Sequence, residues 1–216
     1  MILIPAIFLC LFIALLCGAT WSASKNVRRI AAMPRRAIGD LEEATRARIA
    51  GFVKRHGAWA VAPLTKRPCV CWTVTLSVLD QYTARHIRWN RVLTETGGVP
   101  FVLDDGTGKA LLDPAEAVAT IRVTHRRAAR FKLRDHERDF LERHGVELGR
   151  GLGRRKFMFE ESIVVIGQPI AAVGAGFLEP IDAANHSPYR DPAARWLRIG
   201  GRLCELELTD SRLACR

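Results

Sequence analysis

The segment Val99–Pro114 places the strongest restriction on the fold. Two short apolar runs, Phe101 to Leu103 and Ala110 to Leu112, flank the sequence Asp104-Asp105-Gly106-Thr107-Gly108. An Asp-Gly pair supplies the positive φ angles that a tight turn between antiparallel strands requires. The pattern therefore predicts a β-hairpin whose acidic and glycine residues serve the turn geometry. A cation or phosphate site is the alternative interpretation of the same residues.

Alternating polarity predicts further strands along the chain. The longest runs over Cys69–Leu79, and His86–Thr94 is its predicted antiparallel partner. The predicted core face of the Cys69–Leu79 strand carries Val70, Trp72, Val74, Leu76 and Val78. Shorter strands are predicted at Arg48–Lys54, Val118–Val123, Ala129–Leu133, Lys156–Gly167 and Pro169–Leu178, and a final hairpin joins Trp196–Ile199 to Leu203–Leu208 across Gly200-Gly201.

Helical patterns are scarce. Asp135–His144 predicts the one convincing helix of the body, with Asp135 as cap and Gly145 as terminator. Ile38–Ala50 predicts at most a short helix capped by Asp40 before the first strand. The expected fold class is mainly β (α+β): an antiparallel barrel-like or sandwich domain over residues 48–210 with one short helix.

The N-terminus predicts a membrane segment. Met1 to Ala19 contains no charged side chain, and about 19 helical residues span roughly 28 Å, close to the hydrocarbon core of a bilayer. A signal peptide is the alternative, but no Lys or Arg precedes the apolar run and Thr20–Ser24 matches a cleavage site only loosely. We therefore expect residues 1–24 to be an uncleaved single-pass anchor.

A basic collar follows this segment. It comprises Lys25, Arg28, Arg29, Arg35 and Arg36, within a predicted juxtamembrane linker over residues 25–47. By the positive-inside rule these cations hold the following domain in the cytoplasm. Trp21 then lies at the interface, and each cation near anionic head groups contributes about 1 kcal/mol.

The overall charge agrees with an anionic neighbour. The chain has 33 Lys and Arg against 22 Asp and Glu, a net charge of +11. The densest basic run outside the collar includes Arg126, Arg127 and Arg130. A membrane-facing or solvated surface is the favoured interpretation, with an acidic partner and nucleic acid as alternatives. Because Phe131 is the single aromatic residue within it, nucleic acid is not expected as a partner.

Several segments in the sequence also resemble, in order, the domain of the GIDE/MULAN family, also called BAM for "beside a membrane". The resemblance covers about residues 48–175. It is carried by Pro63-Leu64-Thr65-Lys66-Arg67-Pro68-Cys69-Val70, Trp89, Pro100 to Ala110, Asp113-Pro114, Phe140-Leu141-Glu142-Arg143-His144-Gly145 and Phe159 to Gly167. In the animal mitochondrial members a RING finger C-terminal to this domain transfers ubiquitin, whereas prokaryotic relatives commonly have no RING.

The resemblance thus implies an E3 ubiquitin ligase activity that this sequence does not support. A RING requires eight Cys or His ligands for two zinc ions, typically beginning with Cys-x-x-Cys. The part after residue 24 has four cysteines and no such motif; Cys69 and Cys71 offer two thiols on one strand face. Structural cysteines explain that pair, and a metal site is the less favoured alternative.

No other catalytic or cofactor site is predicted. Asp104 and Asp105 with Glu160 and Glu161 could form an acid/base pair, but neighbouring carboxylates of this kind are more often solvated. The glycines of Gly149–Arg155 do not have the context of a phosphate loop. We expect no cofactor, no metal and no catalytic residue. The predicted function is a membrane-anchored, non-catalytic adaptor or sensor that binds anionic lipid and a protein partner.

Overall fold

The computed structural model describes residues 25–82, 87–130, 132–146, 156–180, 195–199 and 205–216. Within these ranges the protein is mainly β, as predicted. The strands are β1 Ala47–Lys54, β2 Ala60–Val61, β3 Pro68–Cys69, β4 Cys71–Tyr82, β5 Ile87–Gly98, β6 Phe101–Asp104, β7 Lys109–Leu112, β8 Ala117–Thr120, β9 His125–Ala129, β10 Phe157–Val164, β11 Pro169–Gly174, β12 Gly176–Pro180, β13 Arg195–Ile199 and β14 Leu206–Thr209. The helices are α1 (residues 25–32), α2 Asp135–Arg143 and α3 Arg212–Cys215.

Eight strands form the larger sheet, in the order β12-β13-β7-β6-β1-β11-β14-β8. A second sheet has the order β5-β4-β10-β9, and β2 pairs with β3. Two pairings, β13 with β7 and β14 with β8, are parallel. The prediction of an antiparallel domain is therefore wrong at these two places. β13 and β14 are distant in sequence from their parallel neighbours, so no tight turn fixes their direction.

The larger sheet curls on itself. β11 and β12 are separated by Ala175 alone, yet they stand five positions apart in the sheet. Five strand spacings span about 24 Å in a flat sheet, whereas two residues of chain reach about 7 Å. A Cβ on Gly174 would lie 2.4 Å from Cγ2 of Ile199, so this corner requires a glycine.

The curled sheet encloses one apolar core. Six of its strands contribute buried side chains: Ile49, Val53, Phe101, Leu103, Ala110, Leu112, Ile170, Ala172, Leu197, Ile199, Leu206 and Leu208. A second core lies between the four-stranded sheet and α2, where Phe140 and Leu141 pack against Val74, Leu76 and Phe159. The predicted core face of β4 is confirmed there, and Val78 is buried too, with Trp72 half-buried.

The predicted central hairpin is confirmed. β6 and β7 pair antiparallel, with Phe101 opposite Leu112 and Asp104 opposite Lys109. Gly106 has φ +86°. Asp104 accepts a hydrogen bond from its backbone N–H, which gives this carboxylate the turn-forming role that the sequence predicts.

Other predictions require correction. β13 and β14 do not pair with each other, so the predicted final hairpin is wrong. Over residues 38–50, a single 3₁₀ turn at Ile38–Asp40 precedes β1, and Asp40 does not cap it. The cap of α2 is Arg134, not Asp135, and Gly145 follows the helix with φ +63°. The prediction of one short helix is wrong, because α1 and α3 are also present.

No helix in the described ranges has both the length and the apolarity to cross a membrane. The predicted anchor, residues 1–24, lies outside those ranges, as does the glycine-rich segment 149–155.

Candidate membrane-facing surface

Helix α1 packs on the outer face of the larger sheet. Its Ile30 is 2% exposed and contacts small side chains on β1, β11 and α3. These are Ala50, Ala171, Val173 and Ala214. Because small residues allow a helix to approach a sheet closely, the first described part of the predicted linker belongs to the packed body of the protein.

Two arginines bind one buried carboxylate beneath α1. Glu207 on β14 is 5% exposed, and its Oε2 accepts a hydrogen bond from Nη2 of Arg29. Its Oε1 accepts from Nη2 of Arg46 at 2.9 Å. The carboxylate is buried, whereas the side chains of Arg29 and Arg46 are 61% and 49% exposed, so solvent screens both ion pairs. Arg29 thus links α1 to β14 while most of its side chain stays exposed.

Arg35 and Arg48 tie the same region to the C-terminus. Arg35 forms a backbone bridge to Arg48, and its Nη2 donates to the carbonyl of Ala50 at 3.1 Å. Nη1 of Arg48 donates to the carbonyl of Ala214 at 2.8 Å, which satisfies an acceptor in α3. The Nε of Arg48 is buried and has no hydrogen-bond partner in the described part of the chain.

The remaining collar cations face outward. Lys25, Arg28 and Arg36 are exposed, and the backbone N–H of Arg36 donates to the carbonyl of Arg48 at 2.9 Å. Trp21 lies outside the described residues. The structure thus gathers the described collar residues on one body, around α1 and the start of β1.

The second predicted basic group lies on the other sheet. Arg126 on β9 pairs with Glu160 at 2.5 Å, and Arg127 pairs with Glu137 of α2. Nη2 of Arg127 also donates to the carbonyl of Lys132 at 3.0 Å. Arg130 is exposed. These ion pairs offset much of the positive charge, so the collar offers the stronger surface for an anion.

The thiols of Cys69 and Cys71 have no further metal ligands grouped with them in the described residues. Cys69 and Cys71 are both buried. Burial raises the pKa of Cys69 to about 11, with Glu161 adding to the shift, and raises that of Cys71 to about 12. Protonated thiols are poor metal ligands. The ranges that the structure describes contain no group of three or more His, Cys, Asp or Glu able to hold an ion.

The four carboxylates considered for acid/base chemistry have other partners. Asp104 accepts a hydrogen bond from Gly106 in the turn, and Glu160 forms an ion pair with Arg126. Oδ1 of Asp105 accepts from Thr107 and Gly108, while Oδ2 accepts from the N–H of Ile38 at 2.9 Å. Burial raises the pKa of Asp105, but the hydrogen bonds from Thr107, Ile38 and Gly108 outweigh it, so the net pKa is lowered.

Glu161 joins two of the segments that carry the family resemblance. It is fully buried on β10, and its carboxylate accepts from the backbone N–H of Leu64 at 2.7 Å and of Thr65 at 3.1 Å. The hydroxyl of Thr65 donates to it as well. The loop before β3 is therefore held by β10, and this carboxylate is structural.

The sequence did not predict that Glu207 and Arg48 are buried beneath the collar region and bound to it. Strand alternation places both on the face of the sheet opposite the core, where charged residues are ordinarily solvated. They are buried because α1 and α3 cover that face, and no periodicity within the strands encodes this packing.

No protein-family model matches the chain, and no curated protein or solved structure shows significant similarity to it.

Proposed function

We propose that the protein is a non-catalytic adaptor held at the cytoplasmic face of a bacterial inner membrane, with residues 1–24 as its anchor. The docking of α1 on the larger sheet carries the proposal. The described part of α1 follows directly after residues 1–24, and Ile30 and Arg29 attach it to the body. A body attached in this way lies against the lipid surface, where the collar meets anionic head groups.

The fold part of the proposal has support of its own. The curled eight-stranded sheet agrees with a barrel-like, mainly β domain, and the GIDE/BAM type rests on the sequence resemblance alone. The ligase and nucleic-acid alternatives receive less support. Ligase activity would need zinc ligands that the described residues do not assemble, and the arginines of β9 are largely paired with carboxylates.

Affinity purification from crosslinked membranes tests the adaptor role. We expect the full chain to enrich the same protein partner reproducibly, and a variant without residues 2–24 to lose it. Zinc content of the purified full chain is the matched control for catalysis. Two bound zinc ions per chain, or retention of the partner by the shortened variant, would contradict the proposal.

A further inference from the structure

A cleft of about 380 Å³ opens beside α1, apart from the two apolar cores. It lies between Val27 of α1, the ends of β8 and β14, and the start of α3. Its lining residues are Val27, Thr120, Ile121, Arg122, Thr209, Asp210, Ser211 and Arg212.

The topology of the sheet creates this cleft. β8 and β14 run parallel with Thr120 opposite Thr209, so both strands end at the same edge. Beyond them the chain leaves in two directions, towards β9 in the other sheet and into α3. Oδ1 of Asp210 accepts a hydrogen bond from the backbone N–H of Arg122 at 2.9 Å. This hydrogen bond links the segment after β8 to the segment after β14.

The charges of the cleft favour an anion. The side chain of Asp210 is 9% exposed and lies 3.7 Å from Nε of Arg122, so these two charges offset each other. Arg212 is exposed and forms no ion pair within the described ranges. One guanidinium is therefore left to bind a phosphate, which it can do through two parallel hydrogen bonds.

The other lining groups match the rest of a phospholipid head. Ser211 supplies a hydroxyl beside Arg212, and its backbone N–H is held by the hydroxyl of Thr209 at 3.2 Å. Val27 and Ile121 supply an apolar wall. An anionic glycerophospholipid such as phosphatidylglycerol combines a charged phosphate, hydroxyl groups and hydrocarbon chains, whereas a free inorganic phosphate would leave the apolar wall unused.

The cleft also lies close to the head groups if residues 1–24 are the anchor. Val27 is three residues beyond Ser24, so its Cα lies at most about 11 Å from that of Ser24. The polar layer on each side of a bilayer is about 5–7 Å thick, so the cleft opens within it or a few ångström beyond it. This step rests on the proposed anchor.

We propose that the cleft binds one anionic glycerophospholipid, with its phosphate on Arg212 and its glycerol beside Ser211. The collar attracts anionic lipid diffusely, whereas this cleft would retain a single molecule and set the orientation of the body on the membrane.

Lipid retention by the full chain in an uncharged detergent tests the site. Phosphatidylglycerol is titrated in, and native mass spectrometry counts the bound molecules. We expect one retained lipid in the wild type and about tenfold weaker binding in Arg212→Gln, because a charge-assisted contact is lost. Arg138→Gln removes the same charge from an exposed site on α2, outside the collar and the cleft, and should change binding less than twofold. Val27→Trp fills the cleft without a charge change and should also abolish retention.

The outcomes separate this inference from the proposed function. Equal retention by Arg212→Gln, Val27→Trp and the wild type would overturn the cleft site even if the chain stays in the membrane. Displacement of the lipid by millimolar inorganic phosphate would overturn the choice of a lipid ligand. Recovery of the wild-type chain outside the membrane fraction would instead overturn the anchor on which the inference rests.

Discussion

Glu161 shows how much one buried carboxylate contributes to this fold. It satisfies the backbone donors of Leu64 and Thr65, which would otherwise be buried without partners. We expect Glu161→Ala to lower the free energy of unfolding by about 3 kcal/mol, since unsatisfied buried donors each cost 1–3 kcal/mol. Glu160→Ala is the matched control: it breaks the ion pair with partly exposed Arg126 and should cost less than about 1 kcal/mol. Urea unfolding of the detergent-solubilised chain measures both, and equal losses would contradict this role.

Asp105 should make stability depend on acidity. Its pKa is lowered in the folded chain, so its stabilising contribution is present above the unfolded value near 3.8 and is lost as the pH falls through the folded pKa. Asp105→Asn keeps an acceptor for Thr107 but turns an NH₂ group towards the N–H of Ile38. We expect a loss of about 2 kcal/mol at pH 7 and a flatter stability profile below pH 4. Melting temperatures between pH 3 and 7 check this, and an unchanged acid profile would count against it.

The buried thiols should resist alkylation. With pKa values of about 11 and about 12, Cys69 and Cys71 are protonated at pH 8. We expect iodoacetamide to leave both unmodified in the folded chain and to modify both in urea, as mapped by mass spectrometry. Because these pKa values are raised above the unfolded value of 9.0, their contribution to stability is complete below pH 9 and is lost as the pH rises through the folded values. Rapid modification in the native state would show that the thiols are accessible.

At the scale of the elements, local signals were predictable and long-range pairings were not. The hairpin of β6 and β7 follows from Asp-Gly chemistry and alternating polarity, both contained in one short segment. β13 and β14 also have strand-like sequences, but β13 pairs with β12 and the distant β7, and β14 pairs with β11 and β8, which are distant too. Gly200 and Gly201, which separate the two strands in the sequence, predicted a local turn. In the structure each strand pairs instead with neighbours in the curled sheet.

On the candidate membrane-facing surface, too, local features were predictable and long-range contacts were not. Sequence reasoning found the collar cations, because a cluster of arginines after an apolar run is visible in the sequence itself. It did not find the docking of α1, because the three alanines and one valine that contact Ile30 come from three separate elements. The cleft was missed for the same reason, since its lining combines α1 with the ends of β8 and β14.

Helix α1 should behave as part of the body. We expect Ile30→Ala to lower the free energy of unfolding by about 2–3 kcal/mol, because a buried side chain is truncated. Trypsin should then cleave faster after Arg28 and Arg29. Leu213→Ala, which truncates a side chain that is 55% exposed on nearby α3, should cost less than about 0.5 kcal/mol. If Ile30→Ala is as mild as its control, α1 is a free linker.

For the whole molecule, the docking of α1 matters because the proposed anchor directly precedes it in the sequence. With residues 1–24 in the membrane as proposed, the body would stay near the lipid, and a partner would bind within reach of that surface. The proposed collar and cleft would then have different tasks, since the first would set how strongly the body is attracted and the second its orientation.

The membrane side and retention of the body test the central claim most directly. The full chain is produced in a bacterium, its membranes are extracted with alkaline carbonate, and protease is added to intact and to lysed spheroplasts. We predict that the chain stays in the extracted membranes, begins at Met1, and is digested in lysed spheroplasts alone. A chain trimmed near Ser24 and recovered in the periplasm would contradict the account.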